Sequence, residues 1–257
     1  MLRRLTKFVQ HLPVIIISIG MLVSNAYAAK SKKKATVSKD SKMNSLIENY
    51  LMQHPEVIIK AVQKYQAQQE FKQKASIKDY LVKNAKALFT SSLDGRLGSP
   101  KANTTVMIIN DYQCGYCRKA MTALNKVMTA NSNINIEVKH LPILGPNSVL
   151  AAKAAMLAED LGKFKAADTI LLDMPKPMDK NNIIKAFSKI GISKDRLEAA
   201  WTDKKYEETI QENYRVAQKL GVQGTPVIIV TNKDYSKVDF VENFLDEKGL
   251  QKTLNNH

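Results

Sequence analysis

With 39 lysines and arginines against 24 acidic residues over 257 positions, the chain carries a formal charge of +15 at pH 7. Such an excess invites a nucleic-acid or anionic-membrane reading, but its distribution argues against one. Lys30, Lys32, Lys33, Lys34, Lys39 and Lys42 crowd into one short polar stretch with Asp40, and no stripe of interleaved basic and aromatic residues follows, so no nucleic-acid partner is expected.

Arg3, Arg4 and Lys7 precede an apolar run from Leu12 to Val23, and Ala26-Tyr27-Ala28 supplies the small residues of a cleavage site. Residues 1–28 are therefore expected to be a secretory signal peptide rather than part of the fold. The run falls short of the roughly 20 apolar residues that span a bilayer, which disfavours a retained anchor. Export across the inner membrane and residence in the periplasm follow as expectations. Residues 29–43 read as a solvated, Lys-rich linker.

Within residues 44–90 apolar side chains recur at helical spacing: Leu46, Ile47, Tyr50 and Leu51, then Val57, Ile58, Ala61, Val62 and Tyr65. Pro55 suits the first turn of a second helix, where its missing N–H would have had no partner. The spacing predicts a helix, a break at His54-Pro55 and a longer helix to about Gln69, and a connecting helix completes the segment 44–90. Two helices cannot bury such a stripe on themselves, so it must meet the main domain or a second copy of the chain.

Residues 91–104, with Asp94-Gly95, Gly98 and Ser99-Pro100, predict a loop into the main domain. Val106 to Ile109 reads as a buried strand. After Cys114 the residues Cys117, Ala120, Met121, Leu124, Val127 and Met128 repeat at helical spacing, and Ile134, Ile136 and Val138 alternate as in a strand. Helices are expected over Val149–Leu161, Phe164–Leu172, Asn182–Ile190, Asp195–Trp201 and Tyr206–Leu220. A strand from Val227 to Val230, a hairpin through Asn232-Lys233-Asp234 to Val238 and Phe240, and a final helix between Val241 and Leu254 complete the chain. Phe164, Phe187 and Trp201 fit helical cores, and His140 a structural place.

The two cysteines, Cys114 and Cys117, carry the chemistry. A structural disulfide across two intervening residues would close too small a loop to restrict the unfolded chain appreciably. A zinc site needs about four ligands, and His54, His140 and His257 do not stand at ligand spacing. Haem attachment needs histidine at position 118, which is arginine. Thiol–disulfide chemistry is the strongest remaining reading; copper(I) capture by two soft ligands is chemically open. Cys114 at the start of a helix gains from unpaired N–H groups and the positive dipole end, so a depressed pKa is expected there. Cys114 is then the attacking thiolate and Cys117, one turn further in, resolves the mixed disulfide. Arg118 and Lys119 add positive charge nearby, and Asp111 opposes it.

Over roughly residues 100–254 the chain resembles the DsbA-like family of the thioredoxin superfamily. The motifs are the strand leading into Asp111-Tyr112-Gln113-Cys114-Gly115-Tyr116-Cys117, the turn Leu141-Pro142-Ile143-Leu144-Gly145, the helical insertion at about 148–220, and Gly224-Thr225-Pro226 before a strand. The resemblance implies an α/β thioredoxin-like fold with an inserted helical subdomain over 91–257, and no cofactor or metal. It also implies a cis Thr225–Pro226 bond packed on the cysteine pair, with Thr225, Pro226, Gly115 and Tyr116 meeting substrate. Gly115-Tyr116 and Thr225 are similar to the DsbC-type isomerases, and on that ground Thr225→Val is expected to make the pair more oxidising. Relatives commonly place a buried carboxylate six residues before the first cysteine; Ile108 stands there, leaving the proton acceptor unassigned. Ser45 to Gln69 resembles the dimerisation segment of dimeric DsbA-like proteins, implying a homodimer through Ile47, Leu51, Ile58, Val62 and Tyr65 and a combined oxidase and isomerase. Its expected partners are unfolded or misfolded exported proteins and a membrane redox partner. A pure oxidase regenerated by such a partner, or a holdase-like chaperone with incidental cysteines, are the competing readings.

Overall fold

A computed structural model describes residues 37–89, 91–241 and 246–255; the expected signal peptide lies outside them. Helix α1 spans Val37–Gln53 and α2 Pro55–Leu88, and the chain divides into two units between Ala61 and Val62. In the first unit, Met43, Leu46, Ile47, Tyr50, Met52 and Ile58 are all exposed, Ile47 at 51% and Ile58 at 49%, and Leu51 is half-buried. In the second, Val62, Tyr65 and Phe71 are exposed, and burial on α2 begins at Ile77 and continues through Leu81, Ala85 and Leu88. That three- and four-residue spacing is a helix face packed on a core.

The second unit is built on a five-stranded mixed sheet. Its strands are β1 (Gly95–Gly98), β2 (Thr104–Asn110), β3 (Ile134–His140), β4 (Val227–Asn232) and β5 (Val238–Val241), in the order β1-β3-β2-β4-β5. Strands β2 and β3 run parallel, joined by α3 (Gly115–Ala130), and β4 returns antiparallel to β2. Between β3 and β4 lie α4 (Pro146–Asp160), α5 (Phe164–Asp173), α6 (Lys180–Ser188), α7 (Lys194–Thr202) and α8 (Lys204–Lys219), and α9 (Glu247–Leu254) follows β5.

Alternation along β2 assigns the two cores. Val106 and Ile108 join Ile134, Ile136 and Val138 in a core completed by α3 to α9, and Phe164, Phe187 and Trp201 lie within it. Met107 and Ile109 face the other way, onto the buried end of α2 and Val216, Ala217 and Leu220. Both faces of the central strands are covered, which is why β2 and β4 read as continuous apolar runs rather than alternating ones.

Three elements differ from the sequence expectation. The stretch 91–104 is not all loop: β1 pairs antiparallel with β3, Leu97 opposite Ile136. Its glycines answer to packing as well as turning, since a Cβ on Gly95 would overlap the Phe164 ring. Helix α2 runs unbroken from Pro55 to Leu88, joining the expected longer helix and connecting helix into one. Helix α1 starts at Val37, inside the expected linker.

Candidate active site

The C-terminal ends of β2 and β3, the start of α3 and the start of β4 meet at one edge of the sheet. After β2 the chain turns through Asp111, whose carbonyl accepts the Cys114 N–H at 3.0 Å. Cys114 then caps α3 with extended backbone, φ −76° and ψ 120°. Its Sγ accepts the backbone N–H of Cys117 at 3.3 Å, and its carbonyl accepts that of Arg118 at 3.1 Å. The sulfur thus occupies the place that a serine or aspartate oxygen takes at other helix starts.

The two cysteines are unequal. Cys114 keeps 9% of its surface exposed and Cys117 none. The Cys114 thiol is lowered to about 5, chiefly because the Cys117 side chain hydrogen-bonds to it, with further help from the Cys117 N–H, the Thr225 side chain and the Tyr116 N–H, against the cost of burial. Cys117 is pushed strongly upward, first by that same bond to Cys114 and then by burial. The pair is arranged to hold one proton, on the inner sulfur, while the outer one carries charge.

Opposite them the Thr225–Pro226 bond is cis. As a thiol, Cys114 donates to the Thr225 carbonyl at 3.3 Å. Thr225 is half-buried and Pro226 buried, whereas Gly115 is exposed with open space around its Cα, and Tyr116 is 63% exposed. Thr225 and the Tyr116 backbone therefore meet the reachable sulfur. Ile108 is fully buried, in register with Val138 on one side and Ile228 on the other. No carboxylate stands at that place beneath the pair.

Arg118 departs from the electrostatic role expected of it. Its Nε donates to the Tyr112 carbonyl at 2.9 Å, and its Nη1 to the carbonyls of Leu172 and Met174 at 3.0 and 2.8 Å. The guanidinium ties α3 to the last turn of α5 and the residue after it, and the lowered Cys114 thiol owes its shift to the local hydrogen bonds. Lys119 lies 5.6 Å over the Tyr116 ring.

Sequence reasoning missed a buried polar layer behind the cysteines. Tyr112 donates its hydroxyl to Asp168 at 2.9 Å, and burial pushes the Asp168 carboxyl up to about 7. His140 packs between the rings of Tyr112 and Phe164 at 5.8 and 6.1 Å. Burial lowers it to about 3, so it is neutral, as suits a structural histidine. Beyond it Lys139 donates to Asp94 at 2.6 Å, a pair with both side chains buried. The signal that would have found Asp111 is its place two residues before Gln113, where an aspartate closes a turn on its own backbone; Asp168 gives no such signal.

A family model described as thioredoxin matches residues 90–255, and one described as the N-terminal domain of the copper resistance protein ScsC matches residues 41–71. A thioredoxin-like oxidoreductase from Silicibacter pomeroyi DSS-3 is 29% identical, with a TM-score of 0.60, covering 66% of this chain and 95% of its own. Proteus mirabilis ScsC in a transitional conformation is 21% identical, with a TM-score of 0.61, covering 86% of this chain and 98% of its own, a likeness of fold. The Na(+)/H(+) antiporter NhaA 1 of Salinispora arenicola is 28% identical over 138 residues, or 53% of this chain, yet the chain spans only 21% of that relative's length. Among the described residues no helix is long and apolar enough to cross a membrane. More than half of the chain lies within the thioredoxin model, and the protein belongs to the thioredoxin family.

Proposed function

We propose that the protein is an exported oxidoreductase that forms and isomerises disulfides of other exported proteins through Cys114 and Cys117. The observation that carries the reading is the asymmetry of the pair: an outer thiol lowered to about 5 beside an inner one raised and fully buried. At neutral pH the Cys114 thiolate attacks a client disulfide, an S–S bond forms to Cys114, and one client sulfur leaves as thiolate. Two outcomes then compete. Cys117 gives its proton to solvent and attacks Cys114, releasing the second client thiolate with the client reduced and the pair oxidised. Alternatively a client thiolate attacks the mixed disulfide, Cys114 leaves, and the client disulfide has moved with no net redox change. The oxidised pair run in reverse forms client disulfides, and a membrane redox partner resets it.

Isomerisation needs prolonged contact with a misfolded client, which a cleft between copies would provide. The exposed apolar side chains of α1 and the first half of α2 support a self-complementary interface through Ile47, Leu51, Ile58, Val62 and Tyr65. Residues 1–28 serve as the signal for export to the periplasm. The test is a chain beginning near residue 75, which keeps every buried residue of α2 from Ile77 onward. It should be monomeric by light scattering, reduce insulin as the parent does, and lose most refolding of a scrambled multi-disulfide protein. Undiminished refolding by the truncated chain would move the pure oxidase reading ahead.

A further inference from the structure

Arg118 closes the first turn of α3, half-buried, and grips the redox loop at two points. Its backbone N–H donates to the Cys114 carbonyl at 3.1 Å, and its Nε to the Tyr112 carbonyl at 2.9 Å. The far end of the same guanidinium belongs to the helical insertion. Nη1 donates to the carbonyls of Leu172 and Met174 at the C-terminal end of α5, and Nη2 lies 3.6 Å from the Met178 sulfur. Carbonyls at a helix C-terminus lack intrahelical partners and form the negative end of the dipole, so a guanidinium is well held there. A second tie runs to the same helix: Tyr112, 2% exposed, donates its hydroxyl to Asp168 on α5 at 2.9 Å. The residue two before Cys114 and the residue directly after Cys117 are thus both fastened to α5. Between them the Cys117 N–H meets the Cys114 sulfur at 3.3 Å. A hydrogen bond weakens steeply once bent, so a small turn of the loop would cost that sulfur its donors.

We propose that Arg118 is a positioning residue: by fastening the redox loop to the end of α5 it keeps the first turn of α3 aimed at the Cys114 sulfur. The helical insertion thereby sets how readily the pair is reduced, although none of the donors on that sulfur comes from it. The inference rests on the thiol–disulfide reading above and adds to it a residue that acts through geometry rather than through its charge.

Charge and geometry part company at Arg118→Lys. Lysine keeps the charge but loses the planar fork that reaches carbonyls on two sides, and Arg118→Met loses both. Thiolate absorbance should place the Cys114 pKa about one pH unit above the parent's in both variants, a roughly tenfold change in its ionisation constant. Glutathione at pH 7 should then reduce the pair about tenfold less readily. A loss of stability alone would move neither reading. Tyr112→Phe cuts the other tie and leaves the Arg118 bonds in place. It should raise Cys114 in the same sense, and it decides the matter if neither Arg118 variant folds. Asp168, raised to about 7, is protonated where Cys114 titrates near 5, so its charge does not enter that comparison. A Cys114 pKa in folded Arg118→Lys equal to the parent's overturns the inference, whether or not Arg118→Met shifts. Where only Tyr112→Phe folds, an unshifted Cys114 there overturns it too. A parent pair that glutathione disulfide does not oxidise would bring down the thiol–disulfide reading itself.

Discussion

Cys117 donates its backbone N–H to the sulfur of Cys114 across 3.3 Å, and its side chain bonds to the same sulfur. One residue therefore both stabilises an anion on the outer sulfur and holds the proton of the pair. The two roles depend on opposite exposures, 9% and 0%.

Exchanging the two cysteines in turn should separate those roles. Cys114→Ser is expected to abolish disulfide transfer, whereas Cys117→Ser should accumulate mixed disulfides with client proteins, visible on non-reducing gels. Trapping by Cys114→Ser and not by Cys117→Ser would reverse the assignment.

Thr225→Val probes the loop facing the pair. The Thr225 side chain lowers the Cys114 thiol, so its removal should raise the Cys114 pKa, destabilise the reduced form and make the pair less oxidising. Resemblance to isomerases alone gives the opposite sign, so the measured potential decides between the two. A reduction potential that becomes more oxidising in the variant would show that the resemblance had the sign right.

The buried carboxyl of Asp168 gives a pH dependence. Burial raises it from 3.8 to about 7, and Glu137 is likewise raised to about 7 by burial and by Asp94. The folded state then holds protons that the unfolded chain releases, so stability falls as pH rises from about 4 to about 7. His140, lowered to about 3, acts in the opposite sense below about 6.5. Asp168→Asn keeps an acceptor for Tyr112 and removes one buried charge. It should raise stability at pH 7.5 by an amount on the order of 1–3 kcal/mol, and by a smaller amount at pH 5, where only part of the loss has set in. Urea melts at the two pH values check this; an equal change at both would mean that Asp168 does not titrate between them.

The helices, the central strands and the cysteine pair were legible in the sequence because each has a local period or spacing. Cys117, Ala120, Met121, Leu124 and Val127 could only be a helix face, and they are buried on α3. Strand β1 was not legible, since Gly95 and Gly98 read as turn residues when viewed without Phe164 and β3. At the site, the missing information is long-range: the donors to Asp111 come from positions 113, 144 and 148. Arg118 looked like a charge for the thiolate and is instead committed to three carbonyls.

The central claim is that at neutral pH the reduced pair is one thiolate on Cys114 and one thiol on Cys117. The pH dependence of the reduction potential tests it most directly. Two electrons taken up with two protons give about 59 mV per pH unit, and with one proton about 30 mV. The slope should change from the larger to the smaller near pH 5, where Cys114 ionises, and stay at the smaller value through neutrality. A slope of about 59 mV per unit persisting to about pH 8.5 would mean that Cys114 is an ordinary thiol, and the account would fail.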